Sequence, residues 1–389
     1  MHLAVLEPYY GGSHRAFVDT FIRHSRHQCE LLTMPARKWK WRMRGASIWF
    51  ARQLRQGGTG RVDGGRGDAG QGQVAQTVHL PDAIFTCDML SVADLRALLP
   101  PVFRSIPIIC YFHENQLTYP LSPTDWRDYQ YGMTNITSAI AADACWFNSS
   151  SHRDAFFAAA HSLLGQMPDY VALDSLDEAF ARSAVHYPPV EQMTANRGSV
   201  DEGPPVLLWP HRWEYDKNPQ AFFDALIELV DRDVDFRLII LGEQFRTAPA
   251  VFADAGRKLA HRVLHEGFVE SREEYADLVT KSDFVISSAI QENFGIAVVE
   301  AMLCGSHPVL PNRLSYPELV PPALHQTCLY DEAGGLAQAI VNAFALTPVT
   351  RQKHVRAIQD WLNGICPPSL TVGKMDDELE RVVGAGRAD

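Results

Sequence analysis

No uninterrupted apolar run in this 389-residue chain reaches the ~18 residues needed to cross a bilayer, so stable membrane insertion is not expected. The opening stretch MHLAVLEPYYGG lacks a basic start and a long apolar core, and it carries an acid at Glu7, so no secretory leader is expected. The seven cysteines, Cys29, Cys87, Cys110, Cys145, Cys304, Cys328 and Cys366, are odd in number and form no CxxC pair. That spacing argues against a disulfide framework and against zinc or dithiol chemistry. Most lie in apolar runs, and the expectation is free buried thiols in a reducing, cytoplasmic compartment. Positive charge is short, with 35 Lys and Arg against 46 Asp and Glu and a net charge of −11. That balance argues against wholesale coating by nucleic acid and leaves room for a local basic patch.

What is present is an ordinary globular composition and a length that suggests two domains. Leu3–Glu7 reads as a first strand. The turn Pro8-Tyr9-Tyr10-Gly11-Gly12 follows, and Ser13 is expected to cap a helix to about Arg26. Gly11 and Gly12 would let backbone approach a ligand, with His14 beside them. A tight turn needing positive φ would look the same. GGSH is not the GxGxxG fingerprint, so no NAD is inferred. Glu30–Thr33 is a second strand, followed by the basic, tryptophan-bearing loop Pro35–Arg44. There, five cations in eight residues (Arg37, Lys38, Lys40, Arg42, Arg44) interleave with Trp39 and Trp41. Cations can neutralise phosphates and indoles can stack on bases, and in an acidic chain such a cluster points to a function; a solvated basic loop with tryptophan anchors in the core is the alternative. Gly57–Gly72 holds eight glycines in sixteen residues and is expected to be a disordered insertion. Ala83–Thr86, Ile106–Phe112 and Ala144–Phe147 are further strands. The second of these ends in His113-Glu114-Asn115, where polar side chains at a strand's carboxyl end can meet a ligand. Tyr129-Gln130-Tyr131-Gly132 precedes a helix, and Asn148-Ser149-Ser150 caps another.

The polar stretch Glu191–Pro205 reads as a linker, after which the strand–helix rhythm restarts. Strand-like runs lie at Val206–Trp209, Phe236–Leu241, Val263–His265, Asp283–Ser288 and Pro308–Leu310. Their spacing fits parallel sheets built from right-handed crossovers. The first of these strands leads into Arg212 and Lys217, a planar fork and a point charge around one turn. Gly242 ends the next. In DFVISSAIQENFGIAVVE, Glu292 and Glu300 sit eight residues apart across a turn, with Asn293, Phe294 and Gly295 between them and the helix. Placing Glu300 two turns inside that helix separates the two backbones by roughly 12 Å, about the span between the two sugars of a nucleotide sugar. The helix N-terminus between them would face a diphosphate. Two solvated glutamates flanking a helix start would give the same spacing.

Taken as a set, Arg212-x4-Lys217 and Glu292-x7-Glu300 in two Rossmann-like halves resemble the GT-B retaining glycosyltransferases of the glycogen-synthase-like superfamily. Further segments, Tyr10–His14, Pro35–Arg42, Tyr111–Leu117, Gln130–Gly132, Trp209–Lys217 and Asn293–Gly295, resemble a narrower glycosyltransferase group, the tRNA-queuosine mannosyltransferase group. The resemblance implies an α/β GT-B fold, two doubly wound parallel-sheet domains facing a cleft. It implies GDP-mannose as donor, the queuosine of a tRNA as acceptor, and no metal or other cofactor. Arg212 and Lys217 would hold the diphosphate, Glu292 would face the transferred sugar and Glu300 the ribose. His113 would stand near the sugar. Gly11, Gly12, Gly242, Asn293, Phe294 and Gly295 complete the donor side. The acceptor side falls to His14, Arg37, Lys38, Trp39, Lys40, Trp41, Arg42, Glu114 and Asn115. The expected divisions are an acceptor-side domain at 1–190, with the 57–72 insertion, a linker at 191–205, a nucleotide-sugar domain at 206–350, and closing helices at 351–389 that cross back. Two other readings stay open at this level. One is a transferase acting on a lipid-linked or saccharide acceptor. The other is a catalytically silent module that binds RNA or a nucleotide sugar, against which the complete clamp speaks. The number of copies in the working protein has no signature in the sequence.

Overall fold

A computed structural model describes residues 1–56, 80–121, 126–171, 173–193, 203–243, 258–331 and 335–385. The expected 57–72 insertion and most of the 191–205 linker lie outside the described residues. Contacts divide the chain into two units. The first holds 1–121, 125–189 and the C-terminal segment from Pro368, and the second holds Val190–Pro367.

The first unit is built on a parallel sheet of β1 (His2–Tyr10), β2 (Gln28–Pro35), β3 (Ala83–Cys87), β4 (Ile108–Phe112), β5 (Ala144–Phe147) and β6 (Ser183–Val185), in the order β2-β1-β3-β4-β5-β6. All residues of β3, β4 and β5 are buried. Such strands have both faces covered by helices, which is why they read as unbroken apolar runs rather than alternating ones. One face packs on helices Trp39–Arg55, Val92–Leu98 and Ser150–Leu164 through Phe50, Leu95 and Phe156. The other packs on Gly12–His24 and Pro368–Ala385 through Phe17, Phe21, Met375 and Leu379. The last helix is pinned by Ser25 Oγ and the Arg26 amide donating to Asp376 at 2.8 and 2.9 Å.

The second unit carries β7 (Val206–Pro210), β8 (Arg237–Leu241), β9 (Val263–Gly267), β10 (Phe284–Ile286), β11 (His307–Pro311) and β12 (Leu329–Tyr330), again all parallel, in the order β12-β11-β10-β7-β8-β9. Both sheets are doubly wound. Their orders reverse beside β1 and β3 in the first unit and between β7 and β10 in the second. In open α/β sheets a ligand crevice forms outside the strand carboxyl ends at such a reversal.

Several elements differ from the sequence reading. β1 runs past Pro8 to Tyr10, because its pairing to β2 resumes at Tyr10 and Pro35 after a register shift. The helix after it is capped by Gly11, not Ser13, which lies in its first turn. The basic stretch is not a loop. Lys38 adopts a left-handed conformation, φ 55°, and helix Trp39–Arg55 begins directly after it. Tyr129–Gly132 form the first turn of helix Tyr129–Ala141 rather than preceding it.

Candidate active site

In the second unit the switch point is assembled by the loops after β7 and β10. The β7 loop turns through a short 3-10 helix, Tyr215–Lys217. Asn218 follows in a left-handed conformation, φ 49°, and its side chain accepts from the Ala221 amide to cap helix Pro219–Asp231. The β10 loop is tied onto this turn. The amides of Ile290 and Gln291 donate to the Asp216 carbonyl at 2.9 and 3.2 Å, and Ser288 Oγ donates to the Lys217 carbonyl at 2.8 Å. These bonds deliver Glu292 to Lys217. The Lys217 Nζ lies 3.2 Å from Glu292 Oε2, 3.1 Å from Asp216 Oδ2 and 2.8 Å from the Gln291 carbonyl. Burial alone would depress the lysine pKa, yet the Glu292 and Asp216 carboxylates hold it above its ordinary value. The result is a fixed, buried cation that stays charged through neutral pH.

Arg212 stands at the start of the same turn, half exposed, with Nη2 3.1 Å from Glu214 Oε2. Gly242, at the end of β8, explains itself by space. A Cβ there would lie 1.9 Å from the His211 carbonyl oxygen, and φ is +144°. The strand end therefore presses its backbone against the residues leading into Arg212. Gly295, φ +91°, opens helix Ile296–Leu303. Glu300 is the fifth residue of that helix, only a little over one turn in and not two. It is buried, and its carboxylate accepts from Arg272 Nη2 at 2.5 Å and from the Tyr275 hydroxyl at 3.0 Å. Asn293 Oδ1 accepts from Gln291 Nε2, whereas the Phe294 ring is buried and its carbonyl accepts from Ser315 Oγ.

The first unit has its own polar cluster at its switch point. His14, in the first turn of the helix after β1, places Nδ1 3.3 Å from Glu7 Oε1. Its ring centroid is 4.1 Å from that of His113, the residue after β4. The His113 amide donates to Asp88 Oδ1 at 2.8 Å, and its carbonyl accepts from Asn148 Nδ2. Burial works against charge on His14, but Glu7, Asp88 and Glu114 raise it to a pKa of about 9. Burial, then the neighbouring His14, pushes His113 well below the usual imidazole range. The cluster thus pairs an imidazolium with a neutral imidazole. Glu7, His14 and His113 also offer donor atoms within 4.8 Å of one another, the grouping among the described residues that could hold a metal ion.

Other expected residues behave differently. Gly12 has open space where a side chain would be, but Gly11 is tight: a Cβ would sit 2.5 Å from Ala36 Cβ, so local packing already requires glycine there. Two expected acceptor contacts turn inward. Arg42 is buried and donates to the Pro35 carbonyl from Nε and Nη2 at 3.2 and 3.0 Å. Asn115 is fully buried and spends its amide on a turn, accepting from Leu117 and Thr118 and donating to Thr118 Oγ1. Glu114 is half-buried and accepts from Gln116 Nε2. Trp39 packs against Tyr131 at 5.1 Å, whereas Arg37, Lys38, Lys40, Trp41 and Arg44 face solvent. The residues missing from the sequence reading are Glu7, Asp88, Asp216, Arg272 and Tyr275. Asp88 follows β3 and Asp216 adjoins Lys217, so their positions carried a signal, whereas Glu7 lies inside β1. Arg272 and Tyr275 carried none.

Two doubly wound parallel-sheet units, the second with a buried lysine between carboxylates at its switch point, define a GT-B glycosyltransferase. Solved structures share the architecture. Anabaena HepE in complex with UDP superposes with a TM-score of 0.66 at 14% identity, covering 98% of this chain and 100% of that one. Sucrose-phosphate synthase from Thermosynechococcus elongatus gives 0.70 at 12% identity, covering 99% and 100%. Residues 2–190 match the family model described as tRNA-queuosine alpha-mannosyltransferase N-terminal, and residues 192–359 match glycosyl transferases group 1. The tRNA-queuosine alpha-mannosyltransferase of Drosophila melanogaster is 34% identical over 364 residues, 91% of this chain and 89% of its own. The chain belongs to the tRNA-queuosine alpha-mannosyltransferase family. A GDP-mannose-dependent phosphatidylinositol dimannoside mannosyltransferase of Mycobacterium tuberculosis is similar over a shorter stretch, 29% identical over 44% of this chain and 45% of its own.

Proposed function

We propose that this enzyme transfers mannose from GDP-mannose to a hydroxyl of the queuosine nucleoside in a tRNA, with retention of the anomeric configuration. The observation that carries the acceptor is the likeness to the Drosophila enzyme across nearly the whole chain. The donor reading draws on the same relative and on the shorter likeness to a GDP-mannose-dependent transferase.

In this reading Arg212 and Lys217 bind the diphosphate and take up the charge that develops as it leaves. Lys217 is fixed in place before substrate arrives, so little reorganisation is needed during reaction. Glu292 reaches the transferred sugar and Glu300 the ribose, with Gly242 and Gly295 letting backbone come close. The bond from mannose C1 to the phosphate oxygen breaks, and GDP leaves with the electron pair. The acceptor oxygen attacks C1 from the vacated face, and its proton passes to the departing phosphate. Neutral His113 offers a hydrogen bond to the sugar, held in place by its backbone bonds to Asp88 and Asn148. Because protein cations stabilise the diphosphate, no metal is required, and turnover is expected to survive EDTA.

All seven cysteines are free, which suits a reducing compartment and the cytoplasmic location of a tRNA-modifying enzyme. Among the described residues no helix is long and apolar enough to cross a membrane. The decisive test offers labelled nucleotide sugars to total tRNA with and without queuosine. Label entering tRNA only with GDP-mannose and queuosine is the expected result. Label entering only a lipid or glycan fraction would overturn the reading.

A further inference from the structure

The starts of helices Trp39–Arg55 and Tyr129–Ala141 lie side by side in the first unit. Arg44 Nη2 donates to Gln130 Oε1 at 2.9 Å. The Lys40 ammonium and the Arg44 guanidinium stand over the Tyr131 ring at 5.9 and 5.5 Å. Four cations here, Arg37, Lys38, Lys40 and Arg44, are exposed, although the chain as a whole carries a net charge of −11. Three large rings belong to the same two helix starts and their lead-in: Trp41 is 61% exposed, Tyr129 54% and Trp126 94%. Keeping such rings in water forgoes the burial that normally stabilises them. Cations interleaved with solvent-facing rings match a polyanion that also offers flat faces.

Resting on the function proposed above, we propose that this paired helix start binds the unpaired bases of an RNA loop, with phosphates on the four cations and bases stacked on Trp41, Trp126 and Tyr129. A duplex would hide its base faces within the stack, whereas a loop exposes them. The modified nucleoside of a tRNA lies in such a loop, so this surface would hold its neighbours rather than the reacting nucleoside itself. Trp126 and Tyr129 add a second helix to the contact, and Arg42, buried, is not part of it.

The test uses the full chain with Trp41→Ala, Trp126→Ala, Tyr129→Ala and the triple variant. The side chains are exposed, so unchanged thermal unfolding is expected and serves as the folding control. Binding to an unmodified anticodon stem-loop, to queuosine-containing tRNA and to anionic vesicles is measured over a salt series, beside mannose transfer to free queuosine nucleoside. Each ring removed should weaken RNA binding about tenfold, with the triple variant losing about a hundredfold or more. Transfer to the free nucleoside should stay within about twofold in Trp126→Ala and in Tyr129→Ala, the two positions outside the acceptor set read from the sequence. The same loss for a duplex RNA control, wild-type affinity in the triple variant, or loss of vesicle binding in place of RNA binding each overturns the inference. If the wild type binds the stem-loop and the triple variant does not, while no sugar reaches queuosine in either acceptor, the surface stands and the proposed function falls.

Discussion

Arg212 and Lys217 are read as one diphosphate clamp, but the structure gives them opposite stakes in the fold, and this separates catalysis from stability. The Arg212 side chain is 51% exposed and pairs with Glu214, itself 31% exposed. Exposed pairs of that kind contribute about 0–1 kcal/mol. The Lys217 side chain is only 9% exposed and stands between Asp216 and Glu292, at 4% and 19%. Removing its charge leaves two carboxylates facing each other without a counter-ion, a change that costs about 3–5 kcal/mol in buried sites. At about 2–4 °C per kcal/mol for a unit of this size, Lys217→Met should lower the melting temperature by about 10 °C, whereas Arg212→Ala should move it by no more than about 3 °C. If both cations meet the departing diphosphate, each substitution still lowers kcat by about 10²–10³, the loss typical of one pre-organised charge. The assay is single-turnover transfer of labelled mannose to queuosine-containing tRNA, run beside differential scanning calorimetry and tRNA binding. Arg212→Ala should keep its melting temperature and its tRNA affinity while losing turnover. A kcat within threefold of wild type would remove Arg212 from the clamp, and a melting temperature that falls as far as that of Lys217→Met would show that its role is structural.

Three further outcomes follow from the geometry. Gly242→Ala forces a Cβ to within 1.9 Å of the His211 carbonyl at φ +144°, so it should destabilise the second unit by about 3 kcal/mol or more, read in urea unfolding; unaltered stability would mean the β8 end does not press on that backbone. Glu300→Gln should raise KM for the donor about tenfold with little change in kcat, because a ribose contact is the same in ground and transition state; a donor lacking the bonded ribose hydroxyl should erase the difference, and equal sensitivity of wild type and variant would reject the ribose role. Burial lowers the pKa of His152, His211 and His307 to about 3 and of His186 to about 4. These rings are neutral in the fold but take a proton at about 6.5 when unfolded, so stability should be lost as pH falls from about 6.5 toward 4. His186→Phe removes one such group and should shift the acid midpoint downward, and an unmoved midpoint would exclude its contribution.

The sheets were legible because their central strands are buried on both faces. IICYF and AIFTC present unbroken apolar runs that no surface segment imitates. One edge of each sheet was not legible: Ser183–Val185 and Leu329–Tyr330 are only half-buried, two or three residues long, and lack the pattern that burial imposes. Glu7 read as the last residue of the first strand, with Pro8 opening a turn, which hid it as a buried side chain within a longer strand. The start of helix Trp39–Arg55 was masked by charge. Dense cations suggest a loop, and the left-handed Lys38 that launches the helix leaves no composition signal. In the site, the resemblance grouped Lys217 with Glu292, and the structure joins them because both follow strands that are neighbours in the sheet. It could not supply Arg272 and Tyr275, which reach Glu300 from a helix whose sequence looks merely amphipathic.

The two halves also differ in how far their chemistry generalises. A nucleoside diphosphate presents the same charge whatever sugar it carries, so under the proposed role of Lys217 a fixed cation between carboxylates would serve many donors. That suits residues 192–359, which match a model as broad as glycosyl transferases group 1. An acceptor has no such common feature, and the family-specific model covers residues 2–190 instead. Glu7, His14, His113 and the exposed rings of the paired helix starts all fall within that stretch. The His14 imidazolium makes the point physically. It is held charged by Glu7 within β1, Asp88 after β3 and Glu114 after β4, three acids from three neighbouring strands. A cluster drawn from so many elements survives only if the whole sheet edge is kept, which the Lys217 turn in the other unit does not demand. Acceptor choice should therefore change with substitutions at the exposed rings of the first unit, away from His113, that leave donor hydrolysis intact.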